Sequence, residues 1–176
     1  MRTLLCLFVS LLMSGCAIPI SKPPISKETL NETGIFVFST ESVQSCLAHG
    51  IDLRIRSDDR NEQVGFFLMT NPMVQKDYEA TRGLLLAIQL PVGRYSFTYS
   101  QTNTFVSVNY DEPFESAEIE KGKVKYLGEI EVDGCLSITS SSVEDQYIRD
   151  VELFTKRHPE FSQAEVTKDL LKKKIK

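Results

Sequence analysis

The chain has 176 residues, 41% of them hydrophobic, with 20 Lys and Arg against 24 Asp and Glu and a formal charge of −4. That length suits one domain and is thin for two, and a mildly acidic chain has no broad electrostatic attraction to nucleic acid. There is no Trp, and no stretch matches a DNA- or RNA-binding motif, so nucleic acid is set aside as a partner.

The amino-terminal residues set an address. Arg2 and the amino terminus are positive, residues 4–13 (LLCLFVSLLM) are apolar, and small Ser14 and Gly15 precede Cys16. A charged start, an apolar core and small residues at a cleavage point make a secretory signal over residues 1–15. The apolar run falls short of the about 20 residues that span a bilayer. Its ending, Met13-Ser14-Gly15-Cys16, resembles the bacterial lipobox, with Met13 where Leu is commonest. The resemblance implies cleavage between Gly15 and Cys16, a diacylglycerol thioether on Cys16, and acylation of the new amino terminus. Each buried methylene contributes about 0.8 kcal/mol, so several acyl chains hold firmly where one does not. Ala17 follows the cysteine, where inner-membrane lipoproteins of this kind carry Asp. The resemblance therefore implies an outer-membrane lipoprotein facing the periplasm.

Cleavage would leave residues 16–176, remove Arg2, and bring the formal charge to about −5. Cys6 would leave with the signal and Cys16 would carry lipid, so Cys46 and Cys135 remain as an isolated pair. In an oxidising exported compartment such a pair suggests a disulfide. Closing a loop of that length would stabilise by roughly 4–5 kcal/mol in the chain-entropy picture. The alternative is two separate buried thiols acting as small apolar residues.

Residues 16–33 read as a lipidated flexible tether: Pro19, Pro23 and Pro24 sit among polar residues, and the stretch reaches roughly 50–60 Å when extended. Residues 34–140 read as a β-sandwich domain. Residues 35–38 are a short apolar run, and residues 51–56 (IDLRIR) alternate strictly. Residues 63–69 follow, then Leu84, Leu86, Ile88 and Leu90 on one face of a strand, and Tyr95, Phe97 and Tyr99 on one face of the next. Val106, Val108 and Tyr110 alternate again, and residues 114–119 are a weaker strand. Val124, Tyr126, Ile130 and Val132 are expected to line one face of a longer strand, and residues 135–139 to form the last. Turn signals at Ser57-Asp58-Asp59, Pro91-Val92-Gly93, Lys121-Gly122-Lys123 and Asp133-Gly134 separate these runs, while residues 71–83 fit either a short helix or a loop. Short strands at this spacing predict a mainly β fold, an antiparallel β-sandwich. Residues 141–176 then predict two helices packed on or trailing it. Val143, Tyr147, Ile148, Val151 and Phe154 fall at helical spacing behind a Ser141–Glu144 capping pair. Ser162 and Glu165 would cap a second helix, with Ala164, Leu170, Leu171 and Ile175 as its buried stripe.

Two passages carry a further resemblance. Residues 90–97 (LPVGRYSF) resemble the proline–glycine turn and following strand of transthyretin-like domains. Residues 119–128 (IEKGKVKYLG) are similar to a late strand of exported bacterial lipoproteins, in which a final strand and a helix with an Arg-Asp or Asp-rich start come next. Here Asp145, Arg149 and Asp150 stand in that region. The resemblance covers residues 34–160 and implies a transthyretin-like or immunoglobulin-like sandwich, with no particular chemistry.

Candidate chemistry is sparse. His49 and His158 are the two histidines, and no His-x-x-x-His, Cys-x-x-Cys or Gly-x-Ser-x-Gly occurs. Cys46 and His49 could be paired as nucleophile and base, but a bridge to Cys135 would consume the thiol. Asp58, Asp59, Asn61 and Glu62 offer oxygens to calcium, yet lack the Gly and distal Glu of a calcium hand, so a solvated turn is preferred. Glu112, Glu115, Glu118 and Glu120 make an acidic stretch that reads as a wet edge, and the terminal lysines read as a helix end. No catalytic residue, cofactor or metal ligand is assigned. The expectation is a membrane-anchored, non-catalytic envelope lipoprotein that presents its domain to another envelope protein. A small-ligand or glycan-binding module is the alternative, if Tyr95, Tyr99, Tyr110 and Tyr126 face outward; alternation places them in the core. An enzyme would need a pocket with converging polar groups. Replacing Cys16→Ser is expected to move the chain from the membrane to the soluble fraction on cell fractionation; unchanged membrane association and processing would overturn the lipid anchor.

Overall fold

The computed structural model describes residues 25–42, 49–69, 77, 83–103, 112–133 and 140–174. Nine strands and one helix are defined among them: β1 (Thr33–Ser42), β2 (His49–Ser57), β3 (Gln63–Met69), β4 (Leu84–Pro91), β5 (Gly93–Asn103), β6 (Ala117–Ile119), β7 (Val124–Asp133), β8 (Ser140–Glu144), α1 (Tyr147–Arg157) and β9 (Val166–Lys168). Sheet 1 runs β4-β1-β7-β8, and β9 also pairs with β7; sheet 2 runs β3-β2-β5-β6.

The two sheets stack face to face. Alternate residues point to opposite faces of a strand, so one set from each strand meets in the middle. Leu86, Ile88 and Leu90 of β4, Leu53 and Ile55 of β2, and Tyr95, Phe97 and Tyr99 of β5 all enter this shared core, as their alternation predicts. Phe36 and Phe38 of β1 meet it edge-on, with Phe38 at 5.9 Å and 89° to Phe97 and Phe36 at 6.1 Å and 88° to Tyr95. These are the offset geometries that aromatic quadrupoles favour.

Sheet 1 is apolar on its other face too. Ile35 and Val37 of β1, Leu85 of β4, and Val124 and Tyr126 of β7 form a second cluster with Val151 and Phe154 of α1, Phe161 and Val166. The molecule is thus layered as sheet 2, sheet 1 and α1. Burying each of these side chains contributes roughly 1.5–3 kcal/mol.

Several expectations are corrected. The strand pairing is mixed rather than antiparallel: β1 and β7 run parallel at the centre of sheet 1, and β9 runs parallel to β7. Val124, Tyr126 and Ile130 do not share a face. The β1–β7 register slips between Val37/Tyr126 and Ser39/Glu129, and Gly128 adopts φ +103° at the slip. An extra residue shifts the alternation, so Val124 and Tyr126 lie under α1 while Leu127 and Ile130 enter the central core. Ser141 and Glu144 cap no helix. They lie in β8, which pairs with Glu129–Asp133 of β7, and α1 starts at Tyr147.

Among the described residues the second C-terminal helix does not form. The Ser162–Glu165 capping pair forms, with the Ser162 amide donating to Glu165 Oε2 at 2.7 Å, but it opens only a 3-10 turn over Gln163–Glu165. The chain then extends as β9 and continues along β7, the amides of Asp169 and Leu171 donating to the carbonyls of Tyr126 and Leu127. Adjacent Leu170 and Leu171 pack into different clusters, as an extended chain demands and a helical stripe does not.

The folded part also begins before residue 34. Ser26 exchanges hydrogen bonds with Gln89, its amide donating to Oε1 at 2.8 Å and Nε2 donating to its carbonyl at 3.0 Å. Leu30 is buried in the cluster beneath α1. The expected strands over residues 106–110 and 135–139, and almost all of residues 71–83, lie outside the described residues. Residues 114–119 shrink to β6 and a bridge from Phe114 to Lys173.

Gly128 marks where β7 passes from β9 to β8 along the same edge. A Cβ there would overlap Val143 Cγ1 and lie 3.2 Å from the Glu144 carbonyl, at a φ that side chains rarely adopt. Gly128→Ala is therefore expected to destabilise by about 2–3 kcal/mol and lower the thermal midpoint by about 5–10 °C in calorimetry. An unchanged midpoint would mean the slip carries no strain.

Candidate functional site

The densest polar cluster among the described residues lies between sheet 1 and α1, at the upper end of the second apolar layer. The register slip turns Glu129 towards α1, in line with Ser39, its partner on β1. The helix brings Arg149 and Asp150 down on them. Arg149 donates to Glu129 Oε1 at 2.6 Å and to Asp150 Oδ1 at 2.9 Å. Ser39 Oγ donates to Asp150 Oδ2 at 2.6 Å, and so does the Tyr126 hydroxyl, at 2.9 Å. That hydroxyl in turn accepts from the Gln146 amide at 3.1 Å, just ahead of α1. The Asp150 side chain is fully buried and Glu129 nearly so, while Arg149 keeps its outer part in solvent.

Burial alone would lower the charge on Arg149, but its hydrogen bonds and attraction to Asp150 and Glu129 outweigh this and raise its pKa. Burial and the neighbouring Asp150 charge push the Tyr126 phenol far up, so it stays a donor. A buried acid pair of this kind is tolerated only because its oxygens are satisfied. The cluster pins α1 onto sheet 1 in one orientation. Ser39 gives its proton to the Asp150 carboxylate inside this closed layer, which helps hold the helix in position.

The cluster extends upward as carboxylates. Glu41 sits across from Glu131 in the β1–β7 register, and Ser142 Oγ donates to Glu131 at 2.9 Å. Glu41, Glu129 and Glu131 each bring an oxygen within 4.8 Å of the others. Such a trio has the oxygen chemistry that hard divalent cations take, although Arg149 already answers for part of its charge.

The residues singled out in the sequence lie elsewhere. Gly15, Cys16, Cys46, Cys135 and Tyr110 are outside the described residues. His49 begins β2 opposite Asn103. His158 follows α1, with its ring 5.1 Å from that of Phe154. In the Asp58–Glu62 turn the Arg60 amide donates to Ser57 Oγ, and its guanidinium reaches the Tyr95 hydroxyl at 2.7 Å and Glu62 Oε2 at 3.3 Å, so one carboxylate of the turn is already paired with its own arginine. Tyr95, Tyr99 and Tyr126 are buried, which removes them as a ligand-facing aromatic surface. Of the acidic stretch, Glu120 pairs with Lys125 and Glu112 with Lys174.

The Ser39–Glu129–Asp150 cluster was missed in the sequence, except that Arg149 and Asp150 were noted through the lipoprotein resemblance. Its signal was Glu129 interrupting an apolar strand directly after Gly128. Among the described residues no helix is long and apolar enough to cross a membrane.

No family model matches the chain, and no curated protein matches it. One solved structure, a leucine-rich repeat protein from Bacteroides thetaiotaomicron, is similar over 71% of this chain at 13% identity with a TM-score of 0.32. The match spans 16% of that protein's length, and a likeness so slight carries no argument.

The carboxylate trio gives a test of sign. In the folded chain burial first, then the charges of Glu129 and Glu131, raise the Glu41 pKa, with Arg149 opposing. The folded state binds this proton more tightly than the unfolded one. Its stabilising contribution is therefore full in acid and is lost as pH rises through the raised pKa. Glu41→Gln cannot ionise, so it is expected to exceed the native chain in urea midpoint at pH 7 and to match it below about pH 4. A variant no more stable at pH 7 would show that the trio is not repulsive.

Proposed function

We propose that this chain is an envelope lipoprotein, lipidated on Cys16 and without catalytic activity, which holds a two-sheet domain close to the outer membrane to engage another envelope protein. The supporting observation is the polarity of the fold. Residues 25–33 are fastened to sheet 1 through Ser26 and Gln89 and to the 3-10 turn over Gln163–Glu165 through Lys27 and Glu165 at 2.6 Å. Only residues 17–24 then separate the proposed anchor from the fold, a reach of roughly 26 Å. That is about half the tether expected from sequence alone. The short turns after β2, β4 and β6 lie at the end where β1 begins. The connections over residues 43–48, 70–83, 104–116 and 134–139 all leave from the other end of the sheets. One end of the domain suits an anchor, and the strands at the other end lead into the longer connections, a kind of segment through which folds commonly meet partners.

Two finer points belong to this reading. Residues 90–97 carry the chain from β4 in sheet 1 to β5 in sheet 2, which supports a transthyretin-like or immunoglobulin-like sandwich. The parallel β1–β7 pair departs from the purely antiparallel form of that expectation. Ser42 and Val132 are register partners on those two strands. The chain therefore sets out towards Cys46 and Cys135 from adjacent strand ends, which supports a disulfide between them.

The intact mass of the protein purified from membranes is expected to equal residues 16–176 plus acyl chains, lighter by two hydrogens for the disulfide. Crosslinking in cells is expected to capture a second envelope protein. An unlipidated mass would overturn the anchor, and a chain found only as free monomer would overturn the partner-binding role.

A further inference from the structure

The C-terminal segment after β9 joins sheet 1 to the chain that leads into β6. On one side it hydrogen-bonds β7 at Asp169 and Leu171; on the other, the Glu115 amide donates to the Lys172 carbonyl and the Lys174 amide to the Pro113 carbonyl. Beside Phe114 the two chains pair. Below that point they part, because β6 turns away to pair with β5 over Gly93–Tyr95. A cleft of about 360 Å³ opens between β6 and residues 169–172.

Two features of this cleft point to one kind of occupant. Its first wall is the outer edge of a sheet. β6 is the last strand of sheet 2, and among the described residues no backbone hydrogen bond reaches its outward edge. Such an edge is a template for another extended chain. Its second feature is charge. Glu115, Glu118, Glu120 and Asp169 line the cleft against Lys125 and Lys172, an excess of two negative charges. Lys125 stands at the floor, held between Glu120 Oε1 at 2.6 Å and Asp169 Oδ2 at 3.4 Å, so its charge is spent. Glu115 and Glu118 remain exposed at the rim.

We propose that this cleft docks an extended, lysine- or arginine-bearing segment of a partner protein as an added strand along β6, its basic side chains meeting Glu115 and Glu118. The proposal names the kind of partner that the non-catalytic reading requires and rests on it. Backbone pairing supplies the affinity, and the carboxylates of Glu115 and Glu118 select a basic sequence and repel an acidic one.

The full chain in non-ionic detergent micelles is titrated at low salt with a short capped peptide alternating lysine and valine, and amide shifts are followed by NMR. The expected result is saturable movement and exchange protection of the amides of residues 116–119 and 169–172. Binding should be at least about tenfold weaker for the doubly substituted Glu115→Lys, Glu118→Lys chain and for a peptide alternating glutamate and valine. Both substituted residues are exposed, so the variant keeps its fold, checked by its unchanged thermal midpoint. Shifts elsewhere, equal binding by the glutamate peptide, or undiminished binding by the variant would each overturn the proposal. So would spermidine binding as tightly as the peptide, which would show a cleft that reads charge without a strand. Because the assay needs neither anchor nor cell, its failure leaves the mass and crosslinking tests of the lipoprotein reading untouched.

Discussion

Sheet 1 has to be dry on both faces, and the parallel pairing of β1 with β7 is what makes that possible. β1 reads as an unbroken apolar run, Ile35-Phe36-Val37-Phe38, because successive side chains serve two cores. A strand buried on both sides cannot alternate apolar with polar. Its neighbour β7 meets the same demand by a different device. The slip at Gly128 exchanges faces in mid-strand, so Tyr126 serves the layer beneath α1 and Ile130 the layer between the sheets. Without the slip, Glu129 would face the central core, where a carboxylate has no partner and burial costs several kcal/mol.

The slip also explains why polar and apolar packing meet under one helix. Val151 and Phe154 press α1 onto the lower half of sheet 1, while Asp150 and Arg149 fasten it to Glu129, Ser39 and Tyr126. Apolar contact is non-directional and would let the helix slide. The charged hydrogen bonds fix its angle. The same edge of β7 that ends its pairing with β9 at Tyr126 begins its pairing with β8 at Glu129. The C-terminal segment therefore leaves β7 just where the slip lies and crosses towards Phe114. The open cleft beside β6 follows from that crossing: the segment pairs with the chain leading into β6 at Phe114 and not with β6 itself.

Function in such a fold is a matter of which end faces what. Ser26, Lys27 and Leu30 fasten residues 25–33 to the folded layers at the end where β1 begins, the end that the proposed anchor would face. The acidic rim of the cleft lies along the side, on a sheet edge that β6 leaves short. Short edge strands and charged side chains guard against indiscriminate pairing. At the proposed docking edge both features would also narrow the choice of partner to an extended, basic one.

Strands were legible from the sequence wherever one face is wet or the alternation is unbroken. Leu53 and Ile55 against Asp52 and Arg54, and Tyr95, Phe97 and Tyr99 against their small polar neighbours, fall where period-two alternation puts them. The α1 stripe was legible from Val151 and Phe154 for the same reason, with period 3.6 in place of two. The proposed address also rests on sequence, since a lipobox would be read along the chain before it folds. Tertiary structure decided the rest. Ser141–Glu144 and residues 166–171 carry helix-compatible patterns, yet both extend along β7, because an unpaired strand edge offers hydrogen bonds that an isolated short helix cannot match in water. The slip at Gly128 lies in the same category. A glycine and a glutamate in a strand are visible to inspection, but which of two cores each neighbour joins depends on the register of a partner strand some ninety residues away in the sequence.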